Sequence, residues 1–163
     1  MIDDHLVVDT PGDRDIVLSR VFDAPAHLVF AAFTRPDLLV RWYGARGWQL
    51  VECAVDLRVG GHWRFESQGP DGQRMVQRGV YRTIVAPHEL VCTERFDDQS
   101  YPGETLIRHT FTELAGKTTV TTTLRYATPE GRATALRYPM TRGITESYTR
   151  LAALLATRTG GQE

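Results

Sequence analysis

The chain has 163 residues, 42% of them apolar, which is enough for one domain with a substantial core and too apolar for a disordered chain. Its 19 basic and 20 acidic residues are well mixed and give a net charge of −1, which argues against nucleic-acid binding, since that requires a clustered basic surface. No apolar run reaches about 18 residues and the N-terminus is acidic, so neither a membrane span nor a signal peptide is expected, and we predict a cytoplasmic protein.

The N-terminal part of the chain predicts one strand and two short helices. Residues 1–14 have little periodicity and are expected to form a flexible arm. Pro25 and Pro36 each suit a first helical position, where the missing N–H costs nothing, and Gly44 ends the second helix. The predicted elements are a strand at 16–22 and helices at 26–34 and 37–43.

The middle of the chain predicts six antiparallel strands in series. Turn chemistry recurs about every ten residues, for example at 69–72, which reads Gly-Pro-Asp-Gly. The run at 118–123 consists only of threonine and valine, which suits a pleated surface and disfavours a helix. The predicted strands are 48–59, 62–66, 75–85, 90–96, 104–113 and 118–126.

A long amphipathic helix is predicted to end the domain. Thr128 is an N-cap candidate, and the helical pattern continues to about residue 157, with a tail expected at 158–163. Pro139 is expected to break or kink this helix and Gly143 to weaken it. One helical face carries an apolar stripe formed by Ile144, Tyr148, Leu151 and Leu155.

These elements predict an α+β domain over residues 15–157. About seven antiparallel strands must bury one face of their sheet, and the C-terminal helix is the one long element that can cover it. The sheet is therefore expected to curve round that helix. Space that side chains leave unfilled between the two would form a ligand cavity.

Several motifs resemble the activator of heat-shock protein 90 ATPase homologues, a family of the START/birch-pollen-allergen-like (SRPBCC) superfamily. The resemblance extends from about residue 16 to 157 and keeps the motif order. The motifs are Phe22-Asp23-Ala24-Pro25, Thr34-Arg35-Pro36-Asp37-Leu38-Leu39, Arg41-Trp42-Tyr43-Gly44, the segment 56–65, Gly79-Val80-Tyr81-Arg82, Pro87-His88-Glu89-Leu90-Val91, Gly143, and Arg150-Leu151-Ala152-Ala153-Leu154.

The resemblance implies a helix-grip fold and a bacterial single-domain member. Members of the superfamily bind hydrophobic ligands between sheet and helix; some are cyclases or aromatases, and some relatives confer self-resistance to enediyne antibiotics. The eukaryotic activators stimulate a chaperone ATPase and carry an additional N-terminal domain. Fold alone does not decide among these functions.

His109 is the main candidate for acid–base chemistry. Strand alternation places Ile107, His109 and Phe111 on one face, while Leu106 leaves open which face is the inner one. A desolvated imidazole could act as a general base or polarise a carbonyl, with Tyr148 as a second tentative catalytic residue. The alternative is a core histidine hydrogen-bonded to a strand threonine.

An aromatic and apolar set is expected to line the cavity. Aromatic walls suit a flat ligand, although core packing explains such residues as well. Tyr43 belongs to the same aromatic set, and Met140 and Ile144 lie near the expected helix break. The ligand-binding candidates are Trp42, Trp48, Trp63, Phe65, Tyr81, Ile107, His109, Phe111, Met140, Ile144 and Tyr148.

The strand arginines are expected on the outer face of the sheet. They would form cross-strand pairs with acidic residues there. The arginines are Arg58, Arg64, Arg78, Arg82, Arg95, Arg108 and Arg125, and the acids are Glu52, Asp56, Glu66 and Glu94.

Metal and cofactor motifs are not found in the sequence. The five histidines and two cysteines lack zinc-ligand spacing, and no phosphate-binding loop or nucleophile elbow occurs. Cys53 and Cys92 are interpreted as small core residues. No cofactor and no metal are therefore predicted.

Three functional hypotheses follow. The first is binding of a hydrophobic, aromatic or polycyclic small molecule, in metabolism or self-resistance, without catalysis or with weak catalysis. The second is a cyclase, dehydratase or isomerase that uses His109. The third is a co-chaperone-like interaction module that contacts a chaperone through the outer surface of the sheet; a homodimer is compatible with each.

Overall fold

A computed structural model describes residues 5–98, 103–138 and 140–159. The order of elements is β-β-α-α, then six strands, then two helices. The bounds are β1 (Val7–Asp9), β2 (Asp15–Phe22), α1 (Ala26–Thr34), α2 (Pro36–Trp42), β3 (Gln49–Val55), β4 (His62–Gln68), β5 (Arg74–Val85), β6 (Glu89–Phe96), β7 (Thr105–Leu114), β8 (Lys117–Arg125), α3 (Pro129–Arg137) and α4 (Met140–Thr159).

The strands form one antiparallel sheet in the order β1-β2-β8-β7-β6-β5-β4-β3. The six strands from β3 to β8 are a meander of sequential neighbours, as the turn spacing predicts. Strand β2 then pairs with β8 over its whole length, from Asp15 with Arg125 to Phe22 with Thr118. The first and last parts of the chain thereby share one sheet.

The sheet has eight strands rather than about seven. The additional strand is β1, in which Val7–Asp9 pair with Ser19, Leu18 and Val17 of β2. These three residues lie in the segment that the sequence predicts to be a flexible arm. All three residues are exposed, so the strand lacks the alternation of apolar and polar residues by which a half-buried strand is predicted from sequence.

The two short helices begin and end where proline and glycine predict. Trp42 is the residue that joins them, because its Nε1 donates to the Ala32 carbonyl at 2.9 Å while its ring lies 5.0 Å from that of Phe33. Trp42 is only 2% exposed. The two helices are therefore fixed to each other before β3 begins.

The helical C-terminal region consists of two helices. Thr128 caps α3 by accepting a hydrogen bond from Gly131 N at 3.0 Å, as predicted. Helix α4 is continuous through Gly143 to Thr159. Pro139, the expected break, lies between the two helices and outside the described residues, as do the segments 1–4, 99–102 and 160–163.

The core lies between the concave face of the sheet, α1 and α4. The predicted stripe of α4 faces it, with Tyr148, Leu151 and Leu155 buried and Ile144 partly buried against the same cluster. Ser147 of α4 also accepts a hydrogen bond from Gly44 N at 2.8 Å. Helix α4 therefore packs against the sheet and the end of α2 together.

Candidate functional site

The pairing of residues on neighbouring strands shows which face of the sheet points inward. Tyr81, Cys92 and Ile107 are consecutive cross-strand partners on β5, β6 and β7, and all three are buried. Leu106, on the opposite phase of β7, is 41% exposed. The phase left open by the sequence is thus resolved: Ile107, His109 and Phe111 face the interior.

Some inward-facing side chains keep partial solvent access although their neighbours are buried. They lie on strands β6 to β8, in the segments that follow α2 and β8, and on the first turns of α4. The set comprises Tyr43, Glu94, His109, Leu124, Tyr126, Met140 and Ile144. These side chains lie on the inner face of the sheet and on the segments packed against it.

Glu94 is the central polar group among these inward-facing side chains. The Gln77 Nε2 donates to Glu94 Oε2 at 2.9 Å and to the Tyr43 hydroxyl at 2.9 Å. The Tyr43 hydroxyl in turn lies 3.2 Å from Gln77 Oε1. Gln77 is 4% exposed, so it holds Glu94 and Tyr43 in a fixed arrangement.

The surroundings of Glu94 disfavour its charge. Burial raises the pKa of Glu94 to about 7, and the hydrogen bond from Gln77 opposes that rise. Among the described residues no cation forms an ion pair with Glu94. The carboxyl therefore exchanges its proton near neutral pH, inside an otherwise aromatic environment.

His109 belongs to a second polar group. Its Nδ1 lies 2.7 Å from Thr122 Oγ1, the hydroxyl of its cross-strand partner. Burial lowers the pKa of His109 to about 4, so the imidazole is neutral at physiological pH. This is the hydrogen-bonded arrangement with a strand threonine that the sequence left as the alternative to a catalytic role.

Tyr148 joins the same group through Thr122. Burial raises the pKa of Tyr148 to about 12, and a hydrogen bond with the Thr122 side chain opposes that rise. The two candidate catalytic residues therefore meet at one hydroxyl. Thr105, the cross-strand partner of Glu94, is four residues from His109, or about 13 Å along β7, so the two polar groups are separate.

Aromatic side chains pack on the β4 side of the Glu94 group. The rings of Tyr43 and Phe65 lie 5.1 Å apart, and those of Trp63 and Phe65 lie 4.8 Å apart. Trp63 Nε1 donates to the Thr93 carbonyl at 3.1 Å, which holds the indole across Gly79. These contacts run from β4 to the end of α2 and make a continuous aromatic surface.

The remaining candidates lie in or beside this core. At the start of α4, the Tyr126 hydroxyl lies 4.0 Å from Met140 Sδ. Residues with less than about a tenth of their surface exposed are Trp42, Trp63, Phe65, Tyr81, Ile107, Phe111 and Tyr148.

Trp48 is placed elsewhere. It lies between α2 and β3 and lines an open surface depression of about 560 Å³ together with Arg46, Glu146 and Arg150. Glu146 Oε1 accepts a hydrogen bond from Arg46 N at 2.9 Å across this depression. The structure therefore does not bring Trp48 together with the interior candidates.

The prediction that Glu94 lies on the outer face of the sheet is wrong. Glu94 was grouped with the outer acids, whereas it follows Leu90 and Cys92 at period two and shares their inward phase. That alternation was the available signal, but a carboxyl is unexpected inside a core. Gln77 was not predicted as a site residue, and Tyr43 was named only as a member of the aromatic set.

The arginines pair with acidic residues, but the pairs of Arg58 with Asp56 and of Arg64 with Glu66 join residues two apart in sequence and not, as predicted, residues on neighbouring strands. Arg64 bonds Glu66 at 3.2 Å, and Arg58 bonds Asp56 at 2.8 Å. Further pairs join Arg78 to Asp97, Arg95 to Glu104, Arg108 to Glu89 and Arg125 to Asp15.

The remaining chemical features are consistent with an apolar interior. Cys53 and Cys92 are free, and burial raises their thiol pKa values to about 11 and about 12. Within the described ranges no group of three or more metal-ligating side chains occurs. None of the helices in those ranges has the length and apolarity needed to cross a bilayer.

Comparison with protein families decides the affiliation of the chain. The model described as Activator of Hsp90 ATPase homolog 1-like protein matches residues 23–156. The chain belongs to this family. The resemblance expected from the sequence motifs is therefore confirmed, and so is the helix-grip fold, with the difference of one strand.

Solved structures of bacterial proteins share the fold of this Hsp90 ATPase activator homologue-like chain. A protein from Rhodobacter sphaeroides is 30% identical, with a TM-score of 0.89 over 94% of this chain and 99% of that one. A protein from Nitrosomonas europaea is 23% identical, with a TM-score of 0.83 over 93% and 100% of the two chains. A protein from Arthrobacter aurescens is 24% identical, with a TM-score of 0.84 over 93% and 91%. Comparison with curated proteins gives no match.

Proposed function

We propose that this protein binds a hydrophobic, aromatic or polycyclic small molecule between the concave face of the sheet and α4. The observation that carries this proposal is the set of partly accessible inward side chains around Glu94 and His109. An interior that served packing alone would bury these positions with apolar side chains. Binding sites of this kind combine apolar walls with a few fixed polar groups.

The two polar groups supply orientation. Glu94 is held by Gln77 and Tyr43, and His109 by Thr122, so neither has to be ordered when a ligand enters. Tyr43 and Phe65 beside the Glu94 group, and Phe33 and Phe111 beside His109, offer flat surfaces for stacking. A ligand with a planar apolar body and polar substituents at opposite ends fits this arrangement.

The test is a binding screen with a variant that narrows the space. We expect hydrophobic aromatic compounds to raise the melting temperature of the wild type, because binding to the folded state alone stabilises it. Ile144→Trp should abolish these shifts, since Ile144 faces the core from the first turns of α4. Thr145→Trp, on the exposed face of the same helix, is the matched control and should retain them. Loss of binding in both variants, or in neither, would contradict the proposed location.

Acid–base catalysis of the cyclase, dehydratase or isomerase type is the second candidate. The observation that favours it is a neutral imidazole at His109 whose Nδ1 is engaged by Thr122 while the side chain keeps partial access to the interior. His109→Ala distinguishes the two functions once a ligand is in hand. Ligand binding with no turnover in either protein favours a binding module, whereas turnover that His109→Ala abolishes favours the enzyme.

A further inference from the structure

Glu94 is an inward carboxyl with one oxygen bonded and the other available. Oε2 accepts the hydrogen bond from Gln77, and Oε1 has no hydrogen-bond partner among the described residues. We propose that the ligand is an apolar molecule carrying one protonated amine, and that Glu94 binds this ammonium group as an ion pair. This inference rests on the proposed function and names the chemistry of its ligand.

The hydrogen bonds around Glu94 prepare it to accept rather than to donate. Gln77 Nε2 presents one hydrogen to Glu94 Oε2 and the other to the Tyr43 hydroxyl. A donor aimed at a carboxyl oxygen favours the ionised form of that carboxyl. The hydrogen bond from Gln77 thus favours the carboxylate against the effect of burial, and a donor from the ligand at the second oxygen would add to it.

Among the residues that the structure describes, no arginine or lysine supplies the countercharge. The chain has 18 arginines, and those near Glu94 form ion pairs with acidic residues on the outer face. Arg78 pairs with Asp97, and Arg95, next to Glu94 in sequence, points outward to Glu104. No such pair forms with Glu94 in the described part of the chain. Because an uncompensated buried carboxylate is costly, a cation from the ligand would be stabilised strongly there.

Aromatic rings border the same position. Tyr43 contacts Gln77 through its hydroxyl and packs with Phe65 at 5.1 Å, and Tyr126 lies within electrostatic range of Glu94. An ammonium group gains further stabilisation over aromatic faces, more so where water is excluded. A neutral alcohol gains much less from such faces and nothing from charge neutralisation.

Among the described residues, the titratable groups that face Glu94 are neutral at pH 7. They are Tyr43 after α2, Cys92 on β6 and Tyr126 after β8, and burial raises the pKa of each, to about 12 for Cys92 and Tyr126. Gln77 on β5 and Thr105 on β7 are uncharged, as are Met140 and Ile144 on α4. A change in binding near pH 7 therefore reports Glu94.

The experiment compares matched probes that differ only in their polar end. Naphthylethylamine, naphthylethanol and ethylnaphthalene, with phenyl and phenanthryl counterparts for size, are titrated into the full chain by fluorescence and thermal shift. The wild type should bind the amine at least about tenfold more tightly than the alcohol of the same size. Glu94→Gln should remove this preference while it retains ethylnaphthalene binding. Glu52→Gln, which removes an exposed carboxyl from β3, is the matched control and should keep the preference.

A pH series on the unmodified protein makes the test independent of any variant. Amine affinity should rise from about pH 5.5 to about pH 8.5, since Glu94 has a pKa of about 7 and the amine stays protonated throughout. Ethylnaphthalene affinity should not rise over the same interval. Measured together, the two probes separate ionisation of Glu94 from general effects of pH on the protein.

The outcomes separate this inference from the function on which it rests. If the alcohol or the hydrocarbon binds as tightly as the amine, or if Glu94→Gln keeps the amine preference, the ammonium assignment is wrong and the hydrophobic site stands. If affinity for the alcohol exceeds that for the amine and declines above pH 7, Glu94 acts as a neutral donor and the assignment is again wrong. If no probe of any size binds, the proposed function fails together with the inference.

Discussion

Individual residues in this protein matter most where a backbone and a ring approach each other closely. Gly79 on β5 is such a position, because the Trp63 indole crosses it to reach the Thr93 carbonyl. A β-carbon at Gly79 would overlap the Thr93 carbonyl oxygen and lie 2.6 Å from Trp63 Nε1. The absence of a side chain at one residue thus sets the position of an aromatic wall.

Gly79→Ala should therefore be strongly destabilising. Both neighbouring groups would have to move, one of them backbone, so we expect a loss of about 3 kcal/mol or more in the free energy of unfolding. Urea denaturation measures this loss. Gly143→Ala is the control, since its added carbon would meet only Ala45 Cβ at 3.4 Å. Equal stability of the Gly79→Ala variant and the wild type would show that the indole does not lie across this residue.

Gln77 is the residue that connects the polar groups at the Glu94 end of the interior. Gln77→Leu removes the donor to Glu94 Oε2, and with it the stabilisation of the ionised form. We expect the pKa of Glu94 to rise by about one unit in this variant. NMR titration of the Glu94 side-chain carboxyl measures it directly, with Gln68→Leu at the end of β4 as the control. An unchanged pKa would mean that Gln77 does not donate to Glu94 in solution.

At the scale of the elements, the sequence predicts most of the fold because turn residues and alternation are local signals. Prolines and glycines delimit α1 and α2, and period two identifies the six strands of the meander. Strand β1 is not predicted, because its three residues are all exposed. The position of Glu94 is not predicted, because its place in the strand alternation indicates an inward side chain while its charge indicates an outward one. Only the pairing with Thr105 and the hydrogen bond from Gln77 decide between these two orientations.

Helix α4 offers a test of local propensity within that fold. Glycine is the poorest residue for a helix interior after proline, and Gly143 lies inside α4 with room for one methyl group. We expect Gly143→Ala to raise the free energy of unfolding by about 0.5–1 kcal/mol. Thermal and urea unfolding measure the gain. A loss of stability instead would show that α4 packs against Ala45 more tightly than an added methyl group allows.

For the whole molecule, two interior groups give opposing responses of stability to pH. The outer ion pairs are exposed, so solvent screens them and each contributes little to stability. Glu94 and His109 instead have pKa values moved by burial in opposite directions. Their effects on stability therefore oppose each other over the range in which both titrate.

Glu94→Gln should stabilise the protein at alkaline pH. Folded Glu94 keeps its proton up to about pH 7, whereas the unfolded chain releases it near 4.5, so wild-type stability falls as pH rises between these values. Above pH 7 the uncharged variant should be more stable by up to about 3 kcal/mol, and near pH 4 the two proteins should be equal. Urea unfolding at both ends of the interval tests this. A variant that is less stable at pH 8 would contradict a buried, unpaired carboxyl.

His109→Gln should show the opposite slope. The folded state holds His109 neutral down to about pH 4, whereas the unfolded chain binds a proton near 6.5, so this group makes the wild type lose stability as pH falls from 6.5 to 4. In the wild type the effects of Glu94 and His109 on the free energy of unfolding largely cancel between about pH 4.5 and 6.5. In Glu94→Gln only the effect of His109 remains, so stability rises with pH. In His109→Gln only the effect of Glu94 remains, so stability falls with pH. Parallel curves for the wild type and both variants would mean that neither group is held in its uncharged form by this interior.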